Sequence, residues 1–208
     1  MTTHHGFPFA TPVILASTSP RRRQILDLLG LPFEIIASQA QEVPGEGENA
    51  AEYAERAARE KAEEVAHRYP DHLVLGADTV VEIDGKILGK PNSFQEAAAM
   101  LRSLGGREHE VHTGLALVGS GQTRTLVDTA TVRFLEIDDT TINWYVASGE
   151  PMDKAGAYAI QGLGSLLVKG VAGSPHTVIG LPIHRLPELF TAHKVDFLAL
   201  LANPEISL

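Results

Sequence analysis

The chain has 208 residues, of which 44% are hydrophobic and 21% charged, enough apolar material for one substantial core or for two small lobes that share a cleft. The formal net charge of -9 argues against general affinity for nucleic acid or for an anionic membrane, because those partners select basic surfaces. Cysteine is absent, so disulfides, a thiolate nucleophile and cysteine-ligated zinc are excluded.

The two ends of the sequence bound the expected domain. Residues 1–12, which contain His4, His5 and two prolines, are predicted to form a flexible N-terminal leader, and residues 13–208 a single domain. No stretch approaches the roughly 18 consecutive apolar residues of a membrane span, and the N-terminus lacks a signal-peptide pattern. We therefore expect a soluble cytoplasmic protein.

The segment 16–23 concentrates serine hydroxyls and three arginines where a strand is expected to turn into a helix. Ser19 and Pro20 are typical of a helix N-cap and the first helical residue. Arg21 and Arg22 are unfavourable in a first turn unless an anion offsets the cost, so the segment predicts a polyphosphate cradle; the alternative is a solvated basic patch. The donors available to an anion are the backbone N–H groups of this turn and the side chains of Ser17, Ser19, Arg21 and Arg22.

The rest of the chain alternates between helical and strand periodicity. This pattern predicts an α/β protein with a mixed twisted sheet flanked by helices. An exposed loop is expected at 39–49 and an irregular, glycine-rich stretch at 156–173. Helices are predicted at 20–29, 51–69, 94–104, 140–147 and from 186 into the C-terminal tail. Strands are predicted at 13–16, 33–37, 110–118 and 125–135, with a last strand or turn near 177–179. A central strand is predicted from the apolar run 73–77, which leads into Asp78 and Thr79 and continues at 80–83 to a tight Asp84-Gly85 turn.

Two charged side chains stand where they could act on a phosphate compound. Asp78 is expected to end an apolar strand, a place from which a carboxylate can hold a metal or activate water; the alternative is a turn or cap aspartate. Lys90 lies in a glycine-containing segment that lacks the spacing of a phosphate-binding loop, yet it can still supply a point charge.

The segment 150–162 is too irregular for one helix or strand and is expected to shape a pocket wall. Within it, Gln161 could read a base edge through paired hydrogen bonds, with Tyr158 packed beside it. His109 and His112 lack the spacing of a helical zinc protease motif and would point to opposite faces of a strand, so they are interpreted as surface or packing residues.

Six motifs in order resemble those of the Maf family of nucleoside triphosphate pyrophosphatases, over about residues 13 to 190. Each is weak alone, whereas all of them in the right order are specific. They are Ala16-Ser17-Thr18-Ser19-Pro20-Arg21-Arg22, Ala58-Arg59-Glu60-Lys61-Ala62, Gly76-Ala77-Asp78-Thr79, Leu88-Gly89-Lys90-Pro91, His112-Thr113-Gly114, and the run from Glu150 to Tyr158 with Ile160-Gln161-Gly162.

The resemblance implies a Maf and ITPase-like fold with a deep cleft, a homodimer, and hydrolysis of a nucleoside triphosphate to the monophosphate and pyrophosphate with a divalent cation, Mg²⁺ or Mn²⁺. The motif at 153–162 looks like the branch that acts on dTTP and UTP. The alternatives are the branch that acts on 7-methyl-GTP, and a non-catalytic regulator of septum formation, since the family is also associated with arrest of that process.

The resemblance also assigns roles to matching positions. It implies that Asp78 is the proton acceptor or metal-linked base and that Glu42 helps to hold the metal. In this chain Gln41 precedes Glu42, where the family usually has an acidic pair. The positions implied for substrate choice are Arg21, Thr79 and Gln161, and those implied to face phosphates are Ser17, Arg22, Lys61 and Lys90.

Overall fold

Seven strands form one mixed sheet in the computed structural model, which describes residues 13–201. The predicted leader, 1–12, lies outside the described residues. The strands are β1 (Val13–Leu15), β2 (Phe33–Ile35), β3 (Val74–Ile83), β4 (Lys86–Leu88), β5 (Glu108–Gly119), β6 (Gln122–Phe134) and β7 (Val168–Ala172). The helices are α1 (Pro20–Leu29), α2 (Ala50–Arg68), α3 (Phe94–Leu104), α4 (Asp139–Ala147), α5 (Pro175–Ile179), α6 (Leu186–Thr191) and α7 (Phe197–Leu201).

The sheet confirms the predicted α/β class with mixed strand directions. Its spatial order is β2, β1, β3, β5, β6, β7, and β4 pairs with β3 outside that path. The strand β1 is parallel to both β2 and β3, whereas all other pairs are antiparallel. The long strand β5 pairs with β6 from Glu108, opposite Arg133, to Gly119, opposite Gln122.

One edge of β3 is only partly covered by neighbouring strands. The last paired residue of β1 is Leu15, opposite Leu75. On the same edge, β4 begins to pair only at Val81, after a tight turn in which Asp84 and Gly85 both have positive φ, 53° and 72°. Within the described chain, residues 76–80 therefore have no strand partner on this edge, and a crevice opens beside them.

One face of the sheet is covered by α2, and two glycines permit its close approach. A Cβ added at Gly76 would overlap the carbonyl oxygen of Ala58, and one added at Gly114 would overlap that of Ala54. The helix starts at a capping box, in which the Asn49 side chain accepts a hydrogen bond from the Glu52 backbone N–H. The sheet and α2 are thus in contact through their backbones.

The opposite face carries two apolar clusters with a polar row between them. One cluster packs α1 and α6 on the sheet around Leu26, Leu75 and Phe190, and the other packs α3 and α4 around residues such as Leu101 and Phe134. Thr79, Thr113 and Asp128, which are directly opposite one another on β3, β5 and β6, form the polar row. This polar row separates the two apolar clusters, and its Thr79 end lies at the crevice.

Several predicted elements differ from the structure. The segment 177–179 is not a strand but part of the short helix α5, which begins at Pro175 with Ser174 as its N-cap. The last strand is β7, inside the stretch predicted to be irregular, and it is held by pairing with β6 rather than by a local pattern. The C-terminal helix is split into α6 and α7. None of the described helices has the length and apolar content needed to cross a membrane.

Replacing Gly114 with alanine should destabilise the protein. Its new methyl group must displace the α2 backbone, and overpacking of this kind typically costs about 1–3 kcal/mol. The measurement is the free energy of unfolding in urea. Gly170→Ala in β7 is the matched control, because open space surrounds that position. Equal stability of the two variants would contradict the close approach of α2.

Burial of His109 should make stability depend on pH. His109 belongs to β5, and its side chain is buried. Its Nε2 lies 2.8 Å from the Tyr158 hydroxyl oxygen, and its ring is in edge contact with Phe134. Burial lowers the pKa of His109 from 6.5 to about 4. The unfolded chain therefore takes up a proton below pH 6.5 that the folded chain refuses until about pH 4, so stability falls with decreasing pH across that window.

The loss attributable to His109 should total about 3 kcal/mol between the two pKa values. It is measured as the difference in urea unfolding between the unmodified protein and His109→Gln over this pH range, since other titrating groups are common to both. Parallel pH profiles for the two proteins would show that His109 is not the source.

Candidate active site

A cleft of about 670 Å³ occupies the crevice beside β3. Its walls come from the β1–α1 turn, the loop before α2, α2 itself, β3, the segment after β4 and the segment 153–161. All nine residues implied by the family resemblance line it: Ser17, Arg21, Arg22, Glu42, Lys61, Asp78, Thr79, Lys90 and Gln161. The structure therefore brings together side chains that are spread over most of the sequence.

The β1–α1 turn presents the N-terminus of α1 to the cleft. Ser19 occupies the N-cap position, but its side chain forms no capping hydrogen bond, contrary to the usual role of a serine there. Instead the Ser17 hydroxyl accepts a hydrogen bond from the Ser19 N–H at 3.2 Å. No acidic residue lies in the first turn, so this helix end keeps its positive character for an anion.

Arg22 is buried and held by three groups. Its Nε donates to the Gly180 carbonyl at 2.8 Å, and its two terminal nitrogens donate to the hydroxyls of Ser17 at 3.2 Å and Thr79 at 3.0 Å. Burial lowers the pKa of Arg22, while the nearby Asp78 charge opposes that change. The guanidinium is thus fixed in orientation before any ligand arrives.

Hydroxyl groups extend this contact into the polar row. Thr113 donates to the carbonyl of Thr177 at 2.7 Å, so it must accept the hydrogen bond that joins it to Thr79 at 2.9 Å. Thr79 in turn accepts from Arg22. The hydrogen bonds in this series are therefore all donated in the direction from Arg22 to Thr177, which orients the Thr79 hydroxyl on the cleft wall. The sequence did not reveal Thr113 as a support, since its partners are distant along the chain.

Asp78 lies inside β3 rather than at its end, so the prediction of a strand terminus was wrong. The strand continues because Val80 and its neighbours pair with β5 beyond this point. What ends is the neighbour: β1 stops at Leu15, which exposes the Asp78 side to the crevice. A carboxylate within an ordinary strand can line the cleft here because one adjacent strand is missing.

Lys61 of α2 joins the two candidate metal ligands. Its Nζ lies 2.6 Å from Asp78 Oδ1 and 2.6 Å from Glu42 Oε1, and the Lys61 and Asp78 side chains are both buried. Burial alone would raise the pKa of Glu42, but the hydrogen bond and charge of Lys61, with the charges of Lys90 and Arg22, lower it. Lys61 therefore stabilises the charged form of Glu42, and it forms a close ion pair with Asp78.

Lys90 lies farther from Glu42 than Lys61 does and is more exposed. Its Nζ is 3.9 Å from Glu42 Oε2, and 62% of its side chain is exposed. An exposed ion pair of this length contributes little to stability. The charge of Lys90 is consequently available to a ligand in the cleft.

Arg56, which the sequence analysis did not single out, anchors the loop that carries Glu42. Its guanidinium donates to both carboxylate oxygens of Glu48, each at 2.7 Å, and to the Val43 carbonyl at 3.0 Å. The hydrogen bond with Arg56 lowers the pKa of Glu48 to about 2. The pair lies within a run rich in charged residues, where no local signal distinguishes it.

Gln161 stands on a loop clamped by Glu150 and Tyr145. The Tyr145 hydroxyl donates to Glu150 Oε1 at 2.9 Å and accepts from the Ala159 N–H at 3.2 Å. The same carboxylate accepts from the backbone N–H groups of Leu163 at 3.0 Å and Gly164 at 2.9 Å. The prediction of a pocket wall at 150–162 placed these residues together but missed the clamp, which depends on Tyr145 of α4.

Removing the Tyr145 hydroxyl should loosen this loop. In Tyr145→Phe the Ala159 N–H and the Glu150 carboxylate each lose a buried partner, at a cost of about 1–3 kcal/mol. Hydrogen exchange of amides 159–164 should become faster while α2 amides are unchanged. Tyr69→Phe is the control variant. Unchanged exchange at 159–164 would show that the clamp does not hold the loop.

Comparison with known proteins bears on this arrangement. The family model for Maf-like protein matches residues 12–193. A dTTP/UTP pyrophosphatase of Bacillus cereus (strain AH820) is 45% identical over 184 residues, covering 88% of this chain and 96% of that protein. One of Syntrophus aciditrophicus (strain SB) is 48% identical over 178 residues, covering 85% and 87%. A third, of Halalkalibacterium halodurans, is 46% identical over 182 residues, covering 88% and 96%. With the family match extending from β1 to the end of α6, this chain belongs to the Maf family.

Proposed function

We propose that this protein hydrolyses dTTP and UTP to the nucleoside monophosphate and pyrophosphate, and so removes these or modified pyrimidine nucleotides from the pool. The observation that carries the proposal is one cleft in which a buried carboxylate, Asp78, faces cationic side chains from separate elements. The related dTTP/UTP pyrophosphatases support the substrate class and favour it over 7-methyl-GTP.

The phosphates would lie between the N-terminus of α1 and the cations of the cleft. Splitting the anhydride between the α and β phosphates needs charge neutralisation on the oxygens and an oriented water, and little covalent chemistry from the protein. Ser17, Arg22, Lys61 and Lys90 supply donors and positive charge on the two sides. Because Arg22 is held by three neighbours, it needs little reorganisation to meet a phosphate.

Asp78 would orient water and accept its proton. The hydrogen bond from Lys61 keeps Asp78 Oδ1 in a fixed position, and none of the described residues hydrogen-bonds to the other oxygen. That oxygen is the candidate acceptor of the proton released as water adds across the anhydride. The positive charge of Lys61 would also lie beside the negative charge that develops on the phosphate.

The donor set fits a hard divalent cation. Asp78 and Glu42 offer carboxylate oxygens, which Mg²⁺ and Mn²⁺ prefer, and the shared contact with Lys61 places both at one point of the cleft. When bound, such an ion neutralises charge on the phosphate oxygens. Asp78 and Glu42 are the residues that would hold it.

Arg21, Thr79 and Gln161 would select the nucleotide. The clamp holds the backbone on both sides of Gln161, from which its amide could read a pyrimidine edge by paired hydrogen bonds. Thr79 has a hydroxyl of fixed orientation on the facing wall. The proposal includes a homodimer, as the resemblance implies, and a cytoplasmic location. It includes no nucleic acid partner, because the net charge of -9 disfavours one.

The test is pyrophosphate release from dTTP, UTP, CTP, ATP, GTP and 7-methyl-GTP with Mg²⁺ or Mn²⁺. We expect turnover of dTTP and UTP, and a loss of about 10²- to 10⁴-fold in kcat for Asp78→Asn, since that variant removes the general base. Asp84→Asn is the matched control, because Asp84 is exposed in the β3–β4 turn and asparagine tolerates its positive φ.

Three results would contradict the proposal. Release from none of the nucleotides would favour the non-catalytic regulator, and preferred release from 7-methyl-GTP would favour the other branch. Full activity of folded Asp78→Asn would remove this cleft as the site.

A further inference from the structure

Three metal-ligating side chains converge on the α2 face of the sheet, away from Asp78. They are Glu82 of β3 and Glu110 and His112 of β5, and one ligand atom from each lies within 4.8 Å of the other two. Glu82 follows Asp78 by four residues along the strand, about 13 Å at 3.3 Å per residue. The group is therefore separate from the cleft carboxylates.

Glu82 and Glu110 are an unfavourable pair unless a cation lies between them. They are directly opposite each other in the β3–β5 register, a position in which like charges destabilise a sheet. The ion pairs found in residues 13–201 give neither glutamate a lysine or arginine partner; each reaches only His112. The strands thus hold two negative charges side by side without a permanent positive charge.

His112 points an unused nitrogen at these carboxylates. The side chain is 6% exposed, and its Nδ1 lies 2.9 Å from the Thr129 hydroxyl. Its Nε2 is buried and forms no hydrogen bond. The carboxylate oxygens of Glu82 and Glu110 are 3.3 Å and 3.6 Å from Nε2, and neither forms a hydrogen bond with it.

The spacing fits a bound ion better than a protonated imidazole. A charge-assisted hydrogen bond between imidazolium and carboxylate would be about 2.7–2.9 Å and aligned with the N–H. Ligands about 2.1 Å from a tetrahedral zinc ion stand about 3.4 Å apart, close to the two distances observed. The contact between Nδ1 and Thr129 supplies the outer hydrogen bond that metal-binding histidines usually make.

We propose that Glu82, Glu110 and His112 form a second metal site, for a divalent transition metal of the zinc class. One imidazole nitrogen with two carboxylates favours such an ion over Mg²⁺ or Ca²⁺, which prefer oxygen ligands alone. Three protein ligands leave the fourth tetrahedral position to water, and Glu110, with 53% of its side chain exposed, leaves the site open to solvent. The bound ion would tie β3 to β5 near the start of α2.

The test is calorimetric titration with Zn²⁺ in excess Mg²⁺, which occupies the all-oxygen ligands of the cleft. The protein carries His4→Gln and His5→Gln, so that the adjacent N-terminal histidines do not contribute. We expect one zinc equivalent whose affinity falls at least about tenfold in His112→Asn, which retains a group in the place of Nδ1 but lacks Nε2. Glu110→Gln should lose affinity too, whereas Glu34→Gln on the distant β2 should not.

Nuclear magnetic resonance supplies an independent readout, because zinc should shift the His112 ring Nε2 signal and leave His109 unchanged. The proposal would be overturned if no zinc equivalent bound, or if Glu110→Gln and His112→Asn bound zinc as tightly as the protein that retains both residues. Should His112→Asn fail to fold, the exposed Glu110→Gln variant decides between the two results.

Discussion

The missing neighbour of β3 at residues 76–80 is the constraint on which the cleft depends. Because β1 ends opposite Leu75 and β4 starts opposite Val81, the strand is continuous while its edge is open. Successive residues of a strand point to opposite faces, so Asp78 turns to α2 and Thr79 to the other face. The same short open edge thereby supplies Asp78 to one wall of the site and Thr79 to the other.

Each wall is built around a buried cation. Lys61 is 2.6 Å from Asp78 and Glu42 on the α2 side, and Arg22 contacts Ser17, Thr79 and Gly180 on the other. A buried charge is costly unless it is paired or hydrogen-bonded, so these contacts preserve the fold as well as the site. The same contacts place positive charge on both sides of the space where a triphosphate would lie.

The alternation of helical and strand periodicity was sufficient to predict the mixed α/β sheet, and the order of motifs a set of residues that proved to line one cleft. Local pattern failed where the chain is held by distant partners. Segment 168–172 became β7 because β6 pairs with it, and Asp78 looked like a strand end because the sequence shows its own strand but not the length of the neighbour. The clamp of Glu150 and Tyr145, and the approach of Glu82 to His112, join residues on different elements in the same way.

The sequence by itself determined the periodicity of the main helices and strands, the tight Asp84-Gly85 turn and the family motifs, because these depend on side-chain spacing and backbone preference within a few residues. Tertiary structure alone decided which strand edge stays open, that Lys61 lies between two carboxylates, and which way the hydroxyl chain from Arg22 to Thr177 runs. These features depend on strand register and on helix packing across the sheet, which bring together groups far apart in the chain.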